Sequence, residues 1–399
     1  MRIKKETVSN IVLVATIMIA FLSRLYLVDG GRSIAGDEIG YHKSVIQFIE
    51  KGVYGYKPYG FSITANAFTM PGYIVFLAPL YLIFGYSEFS PPLAAIQMAQ
   101  IMIQILAGVV LFKVCRMFLT TMFSILAVII FYFHPTFLYA HTFMLTETLY
   151  GLFFLTFLLL TLYFFKTKKM SFLAGAAVML GISILIRPSF IVVIPIVILF
   201  IFILLKKKAF APNLVFLLCF CAVMSPWWIR NYLSLGEVTL LASQGGNPLL
   251  WGTYPFNNNP LFDQSMPPEE MGKLAMERIK NGFLHQPLLY ISWYSWGKTL
   301  YLIKDIWPGN KFLASLTLIK CFHYLIVSTG FIGLILMLVK RPPFQYASLI
   351  FALCAMTSFA VYLPFAPTSR YFYSALPLLI ISFCYVSQLL FFRFKDRQN

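Results

Sequence analysis

Residues 8–46, VSNIVLVATIMIAFLSRLYLVDGGRSIAGDEIGYHKSVI, place a long apolar segment just before two adjacent acids, Asp37 and Glu38. The apolar part is long enough to cross a bilayer as a helix, which needs about 20 residues. A basic start precedes it and no small-x-small cleavage motif follows it. We therefore expect an uncleaved signal anchor, with the acid pair at the membrane edge.

The composition extends this interpretation to the whole chain. Of 399 residues, 60% are hydrophobic and only 11% are charged, whereas soluble domains carry about 25% charged residues. The net charge of +17 lies in short basic clusters between apolar stretches, which is the positive-inside pattern of a membrane protein in contact with lipid. We therefore expect membrane lipids as partners and no nucleic acid. The six cysteines form no Cys-x-x-Cys pair, so neither a disulfide framework nor a zinc site is predicted.

The basic clusters predict the topology, because each of them belongs on the cytoplasmic side. They are Arg2/Lys4/Lys5, Lys113/Arg116, Lys166/Lys168/Lys169, Lys206/Lys207/Lys208, Lys340/Arg341 and Arg393/Lys395/Arg397. Even numbers of crossings between clusters give about ten transmembrane helices. The expected spans are 10–28, 93–115, 120–138, 143–165, 171–187, 188–206, 211–229, 321–339, 345–363 and 371–392. The short apolar stretch 71–85 contains Pro71 and Pro79, so we expect a re-entrant or juxtamembrane helix there.

The predicted organisation is an all-α polytopic membrane protein with both termini in the cytoplasm, in a bacterial plasma membrane. Residues 1–230 form a transmembrane catalytic module that includes the first external loop, 29–92. Residues 231–320 form an extracytoplasmic loop or lid, with an amphipathic helix near 266–287 and Trp293, Trp296 and Trp307 resting on the membrane. Residues 321–399 form the C-terminal transmembrane helices.

Charged residues from distant parts of the chain then meet at the outer face. Besides the acid pair, these are Glu147, Arg187, Arg230 and Arg370. An acid within a transmembrane helix costs roughly 2.5–3.5 kcal/mol or more, so Glu147 requires a partner, an ion or a substrate. Guanidinium groups match phosphate oxygens, although an arginine at this depth also snorkels to lipid headgroups. The convergence predicts an extracytoplasmic site.

A helix over 37–51 separates the two acids of the opening stretch. At 100° per residue, Glu38 and His42 fall on the apolar half, together with Tyr41. Asp37 borders the polar half, which also holds Ser44 and Gln47. We expect the polar half to face solvent. Capping of the helix by Asp37 is the simpler alternative, because aspartate is a favoured cap.

Six short motifs, in this order, make the chain resemble the C-type membrane glycosyltransferases of the protein mannosyltransferase and aminoarabinose transferase group. They are GDEIGYH, the short segment ending LIFGYSEFS, LTETLY, GISILIRPSF, PWWIRNY followed by GGNPLLWG, and RYFYSALP. The resemblance covers most of the chain and implies the GT-C fold. The chain departs from some members by having MPGY where they have a proline pair, and it has no large soluble domain on the external loop.

The resemblance also implies a reaction and roles. A hexosyl or pentosyl group would pass, with inversion, from a polyprenyl-phosphate donor to a hydroxyl of a glycan, lipid or protein. Asp37 would be the general base and Glu38 would support it. A divalent metal, Mg or Mn, stays open, with Asp37 and Glu147 as its ligands. The expected donor- and phosphate-binding residues are Tyr41, His42, Arg187, Arg230, Asn231, Arg370 and Tyr371.

Two other classes of protein remain open. A transporter or flippase of lipid-linked sugars would place ionisable groups near the bilayer midplane, on broken helices related by internal repeats. Here the polar residues cluster at one face. A structural or assembly protein would need neither an acid pair nor several converging arginines. Nucleotide-binding, serine-hydrolase and zinc-protease motifs are absent from the sequence.

Overall fold

The computed structural model describes residues 2–58, 60–62, 64–257, 266–339 and 345–398. Within these ranges the regular structure is helical, apart from one isolated β-bridge between Lys57 and Gly60. The predicted all-α class is therefore confirmed. Lys340 and Arg341, which were assigned to a cytoplasmic cluster, lie outside the described residues.

The helices fall into two groups along the chain. The described residues up to 235 form α1 (Arg2–Tyr26), α2 (Asp37–Lys51), α3 (Gly72–Phe84), α4 (Leu93–Cys115), α5 (Thr121–Phe133), α6 (Pro135–Ala140), α7 (Glu147–Thr167), α8 (Met170–Ile186), α9 (Val193–Leu205) and α10 (Phe210–Leu235). The described residues after 235 form α11 (Gly246–Gly252), α12 (Pro268–His285), α13 (Pro287–Ser292), α14 (Lys298–Ile303), α15 (Phe312–Ser315), α16 (Thr317–Val339), α17 (Gln345–Ala360) and α18 (Leu376–Gln398).

The described helices make the chain a multi-pass membrane protein. Seven of them are long and apolar enough to cross a membrane, and they fall on α1, α4, α7, α9 with its flanking turns, α10, α16 and α18. The other expected spans correspond to α5, α8 and α17, which have 13, 17 and 16 residues. These helices are shorter than the ~20 residues of a typical span. Their crossing of the membrane stays a prediction.

In two of the expected spans, the helix begins or breaks at a different residue from the one that the hydropathy predicts. The span 120–138 splits at His134, because Pro135 cannot donate a backbone hydrogen bond and starts a new helix. The span 143–165 becomes helical only at Glu147. Residues 141–146 are not helical, and all of them except the partly buried Phe143 are buried. Glu147 is therefore the first residue of α7 rather than a residue one turn inside it.

Close helix packing forms the core of the bundle. α7 packs against α4 and α8, α8 packs against α10, and α16 packs against α18. A Cβ at Gly333 of α16 would lie 2.3 Å from the carbonyl oxygen of Ser382 in α18. Small residues at this contact let the two backbones approach, as is common between membrane helices. The predicted short helix at 71–85 is α3, which packs against α2 and α8.

The region 231–320 is mostly helical rather than a loop. We name residues 246–257 and 268–303 the external module, after the side of the membrane on which the sequence predicts them. Its long helix, α12, matches the predicted one and buries Met271 and Ala275 against Leu250 and Tyr254. Trp293 does not rest on the membrane as expected, because it is fully buried and its Nε1 donates to the carbonyl of Gly252, 2.9 Å away. The module therefore has a packed interior.

Candidate active site

One buried carboxylate organises the end of the bundle at which α7 begins. Glu147 is 1% exposed at the start of α7. Arg187, at the end of α8, donates from Nη1 to Glu147 Oε1 over 2.6 Å. Arg370 also binds it, through Nε to the same oxygen and through Nη2 to Oε2 at 3.3 Å. Paired charges of this kind offset the desolvation that an isolated buried carboxylate would suffer.

The same guanidinium of Arg370 reaches Asp37. Its Nη1 donates to Asp37 Oδ2 at 2.5 Å, and the Asp37 side chain remains 53% exposed. We call Asp37, Glu147, Arg187 and Arg370 the ion-pair cluster; its formal charges balance. Burial disfavours the charge on Arg370, but the carboxylates of Glu147 and Asp37 outweigh burial and raise the pKa of the guanidinium above its usual range.

Glu38 points away from Asp37, as the helical period predicts. It is buried, its Oε1 accepts the Met144 N–H at 2.7 Å, and its Oε2 accepts the Ala35 N–H at 3.0 Å. Arg32 binds both carboxylate oxygens and also donates to the carbonyl of Thr142. Glu38 therefore ties the start of α2 to the segment before α7. Sequence reasoning missed Arg32, although a cation six residues before an inward-facing acid was a usable indication.

The capping alternative for Asp37 does not match the geometry. Gly36 is the N-cap of α2, and no side chain makes a cap hydrogen bond there. Asp37 Oδ2 accepts from Arg370, so the contact of this carboxylate is tertiary. The polar half of α2 also differs from expectation, because Ser44 and Gln47 are buried. The loop that follows α2, the predicted first external loop, contacts Gln47, which donates to the carbonyl of Val53 over 3.2 Å.

Glutamines of α4 hold the non-helical segment that leads into Glu147. Gln100 donates from Nε2 to the carbonyls of His141 and Phe143, at 3.0 and 2.8 Å, and accepts from Thr148 Oγ1 at 2.7 Å. Gln97 donates to the carbonyl of Thr142 over 3.0 Å. Buried irregular backbone needs such partners, because its polar groups are removed from water. These side chains, which the sequence did not single out, fix the entry of α7.

Arg24 does the same for the break between α5 and α6. It is fully buried, and its Nη2 donates to the carbonyls of Tyr132 and Phe137 at 2.8 and 3.3 Å. Its Nε donates to Gln104 Oε1 at 2.9 Å. The last carbonyls of a helix lack intrahelical donors and attract cations. Arg24 therefore caps α5 from α1 and supports the turn that precedes Glu147.

Tyr41 and His42 of α2 have different neighbours. Tyr41 packs edge-on against Tyr56 and Tyr73, with ring centroids 5.3 and 5.0 Å away, and burial raises its pKa. His42 Nδ1 lies 2.7 Å from the Tyr81 hydroxyl, and its Nε2 lies 3.1 Å from the carbonyl of Glu88. Burial lowers the pKa of His42. Its contacts pin α2 to α3 rather than reaching Glu38.

Tyrosine rings flank Arg187 of the ion-pair cluster. Tyr371 stacks on Tyr362 with centroids 4.7 Å apart, and the Arg187 guanidinium lies 5.5 Å from the Tyr371 centroid. The Tyr150 centroid is 5.9 Å from the same guanidinium. The structure therefore brings Tyr371 to the cluster through Arg187. Tyr362 was not anticipated, because nothing in its local sequence marks it.

Arg230 and Asn231 make their contacts elsewhere. Arg230 Nη1 donates to the carbonyl of Asn66 and to Asn231 Oδ1, both at 2.9 Å, and Nη2 contacts the carbonyl of Tyr54. Asn231 donates to the carbonyl of Thr239 at 2.8 Å. These bonds fasten the end of α10 to the first external loop. They do not join Arg230 to the ion-pair cluster.

The cluster does not form a ligand set for a divalent metal. Both oxygens of Glu147 and one of Asp37 already accept guanidinium N–H groups. In the part of the chain that the structure describes, no group of three or more His, Cys, Asp or Glu side chains could hold a metal ion. Arg370 lies between the two carboxylates, where a bridging cation would be needed.

Comparison with solved structures identifies the fold. No protein-family model and no curated protein matches the chain in sequence. In structure it matches AglB, an archaeal oligosaccharyltransferase from Archaeoglobus fulgidus solved with an inhibitory peptide and a dolichol-phosphate, at TM-score 0.57 and 14% identity. The match covers 97% of this chain and 52% of AglB.

ArnT from Cupriavidus metallidurans, bound to undecaprenyl phosphate, matches at TM-score 0.59 and 12% identity, over 94% of this chain and 59% of ArnT. The A. fulgidus oligosaccharyltransferase in complex with Zn and sulfate matches at TM-score 0.59 and 13% identity, over 96% and 50%. AglB and ArnT are GT-C glycosyltransferases, and the chain has their fold. The expected GT-C fold is confirmed. The chain spans between 50% and 59% of the length of these structures.

Proposed function

We propose that the protein is an inverting glycosyltransferase that works at the extracytoplasmic face of the membrane. It moves a hexosyl or pentosyl group from a polyprenyl-phosphate donor to a hydroxyl of a glycan, lipid or protein. The observation that carries the proposal is the half-exposed carboxylate of Asp37 in a GT-C fold, held by Arg370, which shares Glu147 with Arg187. The solved ArnT and AglB hold undecaprenyl phosphate and dolichol-phosphate, which supports a lipid-phosphate donor.

The reaction needs a base and a stabilised leaving group. The acceptor oxygen attacks the anomeric carbon and its proton passes to Asp37. The bond from that carbon to the phosphate oxygen breaks, and the polyprenyl phosphate leaves with the electron pair. A positioned carboxylate supplies the general base. Guanidinium groups in a site shielded from water stabilise the charge that develops on the phosphate.

Arg187 is the better placed of the arginines for the phosphate. Among the described residues its guanidinium makes one hydrogen bond, from Nη1 to Glu147, so its other nitrogens can bind an oxyanion. All three nitrogens of Arg370 already bind the carboxylates of Asp37 and Glu147. Glu147 has both oxygens occupied and serves to hold the two arginines. No step of the mechanism passes through a metal.

The test is sugar transfer by the purified protein in vesicles, with a sugar-loaded undecaprenyl phosphate and a panel of hydroxyl acceptors. Asp37→Asn is compared with Glu50→Gln, which changes an exposed acid on the same helix. We expect Asp37→Asn to abolish transfer and Glu50→Gln to leave it unchanged. Full activity in a folded Asp37→Asn variant contradicts the assignment of the base. Movement of intact lipid-linked sugar between leaflets, without cleavage, favours the transporter instead.

A further inference from the structure

The external module forms hydrogen bonds with residues 364–366, the segment that leads to Arg370. Residues 364–366 lie just before the 3₁₀ turn Ser369–Ser374, which carries Arg370. The Ala366 N–H donates to the carbonyl of Pro248 at 2.8 Å. Lys298 Nζ donates to the carbonyl of Pro364, also at 2.8 Å. Two separate parts of the module therefore hold the same three residues.

A glycine makes this contact possible. A Cβ at Gly252 would lie 2.6 Å from the carbonyl carbon of Phe365 and 2.7 Å from the carbonyl oxygen of Pro364. Both of these are backbone atoms, which cannot move aside as the end of a flexible side chain could. On its other side, Gly252 accepts the buried indole N–H of Trp293 at 2.9 Å. The two backbones are therefore in direct contact at Gly252.

Lys298 is an unusual residue for such a buried position. It is 0% exposed, and its Nζ lies 3.9 Å from the ring centroid of Tyr294. Among the described residues, no carboxylate forms a salt bridge with Lys298. Burial lowers its pKa to about 7. Burying an ammonium group without a counter-charge costs free energy of folding. The hydrogen bond to the carbonyl of Pro364 is the contact that this burial makes possible.

We propose that Lys298 and Gly252 are positioning residues, through which the external module clamps residues 364–366 and sets the place of Arg370 between Asp37 and Glu147. Neither residue touches the reacting groups. This positioning role rests on the function proposed above, in which Arg370 holds the general base Asp37. Arg370 divides its nitrogens between two carboxylates, so a small displacement of its backbone breaks bonds on both sides. Misplacement of a catalytic group by about 1 Å can cost roughly 100-fold in rate.

The clamp is tested first without reference to activity. Hydrogen–deuterium exchange is measured on the full-length protein in detergent for wild type, Lys298→Met and Gly252→Ala. Lys304→Met is the matched control, because Lys304 lies in the same part of the chain with its Nζ over a tyrosine ring, 3.4 Å from the Tyr301 centroid. We expect severalfold faster exchange in peptides covering 364–374 for the two clamp variants only. Unchanged exchange in both clamp variants overturns the clamp.

The second measurement asks whether the clamp matters for the site. Donor KM and kcat are measured for Lys298→Met, for Arg370→Gln and for the double variant. We expect Lys298→Met to lower kcat roughly tenfold with the donor KM near wild type, because a displaced Arg370 misplaces the base Asp37. The double variant should be no worse than Arg370→Gln alone. Independent, multiplying effects, or an unchanged kcat alongside faster exchange, overturn the positioning role. If wild type transfers no sugar, the proposed function fails, and the exchange data alone then support or overturn the clamp.

Discussion

Arg370 Nη1 lies 2.5 Å from Asp37 Oδ2, although 333 positions separate the two residues along the chain. The same guanidinium also binds Glu147, which is buried at the start of α7. One arginine therefore connects a solvent-exposed carboxylate with one inside the bundle. Through Arg370, the position of the buried Glu147 therefore determines where the accessible carboxylate of Asp37 lies.

Replacing Arg370 tests this connection. Arg370→Lys keeps the charge, but a single ammonium group cannot reproduce the forked geometry that reaches both carboxylates. We expect transfer to fall by about 100-fold or more and the protein to remain folded. The measurement is steady-state sugar transfer, with Arg393→Lys at the far end of α18 as control. Wild-type kinetics in Arg370→Lys would show that the bridging geometry is dispensable.

Removing the charge of Glu147 is expected to act mainly on stability. Glu147→Gln leaves Arg187 and Arg370 without their shared buried counter-charge, and breaking a buried pair from one side costs roughly 3–5 kcal/mol. Thermal unfolding in detergent should show a lowered Tm. The double variant Glu147→Gln/Arg187→Met should recover part of the loss, because it removes one unpaired cation. An unchanged Tm in Glu147→Gln contradicts the structural role.

The glutamine support of the segment before α7 is tested by Gln100→Leu. The substitution keeps a similar volume but leaves the carbonyls of His141 and Phe143 without their donor. Each unsatisfied buried group costs roughly 1–3 kcal/mol, so we expect a lower Tm together with reduced transfer. Met102→Leu, on the exposed face of the same helix, is the control and should match wild type. Equal stability of Gln100→Leu and Met102→Leu would mean that these carbonyls find other partners.

Lys298 predicts a pH dependence of stability with a defined sign. Burial lowers its pKa in the folded protein from 10.5 to about 7. Between these values the unfolded chain binds a proton that the folded protein does not, so this group makes stability rise with pH across that window. The gain is complete above 10.5 and is lost as the pH falls towards 7. The partners around the amine are Pro364, Tyr294 and Trp293.

The measurement is Tm against pH for wild type and Lys298→Met. From pH 7 to pH 9, wild type should gain at least about 2 °C relative to the variant. Parallel curves would mean that the amine titrates near its usual pKa. Taking the difference between the two proteins cancels the contributions of the other ionisable groups, which they share.

Arg187 and Arg230 should behave differently when each is changed to methionine. Arg187 keeps nitrogens free to bind a phosphate, so Arg187→Met should raise the donor KM by roughly tenfold or more. Arg230 fastens α10 to Asn66 and Tyr54, so Arg230→Met should lower the Tm and leave the donor KM near wild type. A comparable rise in KM for Arg230→Met would place that arginine in the donor site.

The amino-acid sequence by itself determined the class of the protein and predicted which charged residues share one membrane face. The apolar stretches predicted the membrane helices, and the helical period predicted that Glu38 points inward while Asp37 stays accessible. Both are local properties, because hydropathy and the 3.6-residue repeat are set by neighbours within one helix. The placement of Asp37, Glu147, Arg187 and Arg370 at one membrane face followed from counting spans.

Only the tertiary structure decided which charges meet. It joined Arg370 to Asp37 and Glu147, kept Arg230 with the first external loop, and turned His42 towards Tyr81. It also revealed Gln100 and Lys298, whose partners lie on other helices or loops. Such contacts depend on how helices rotate and approach one another, and no local pattern records that. Partners separated by tens or hundreds of residues are selected by packing, and packing is a property of the whole fold.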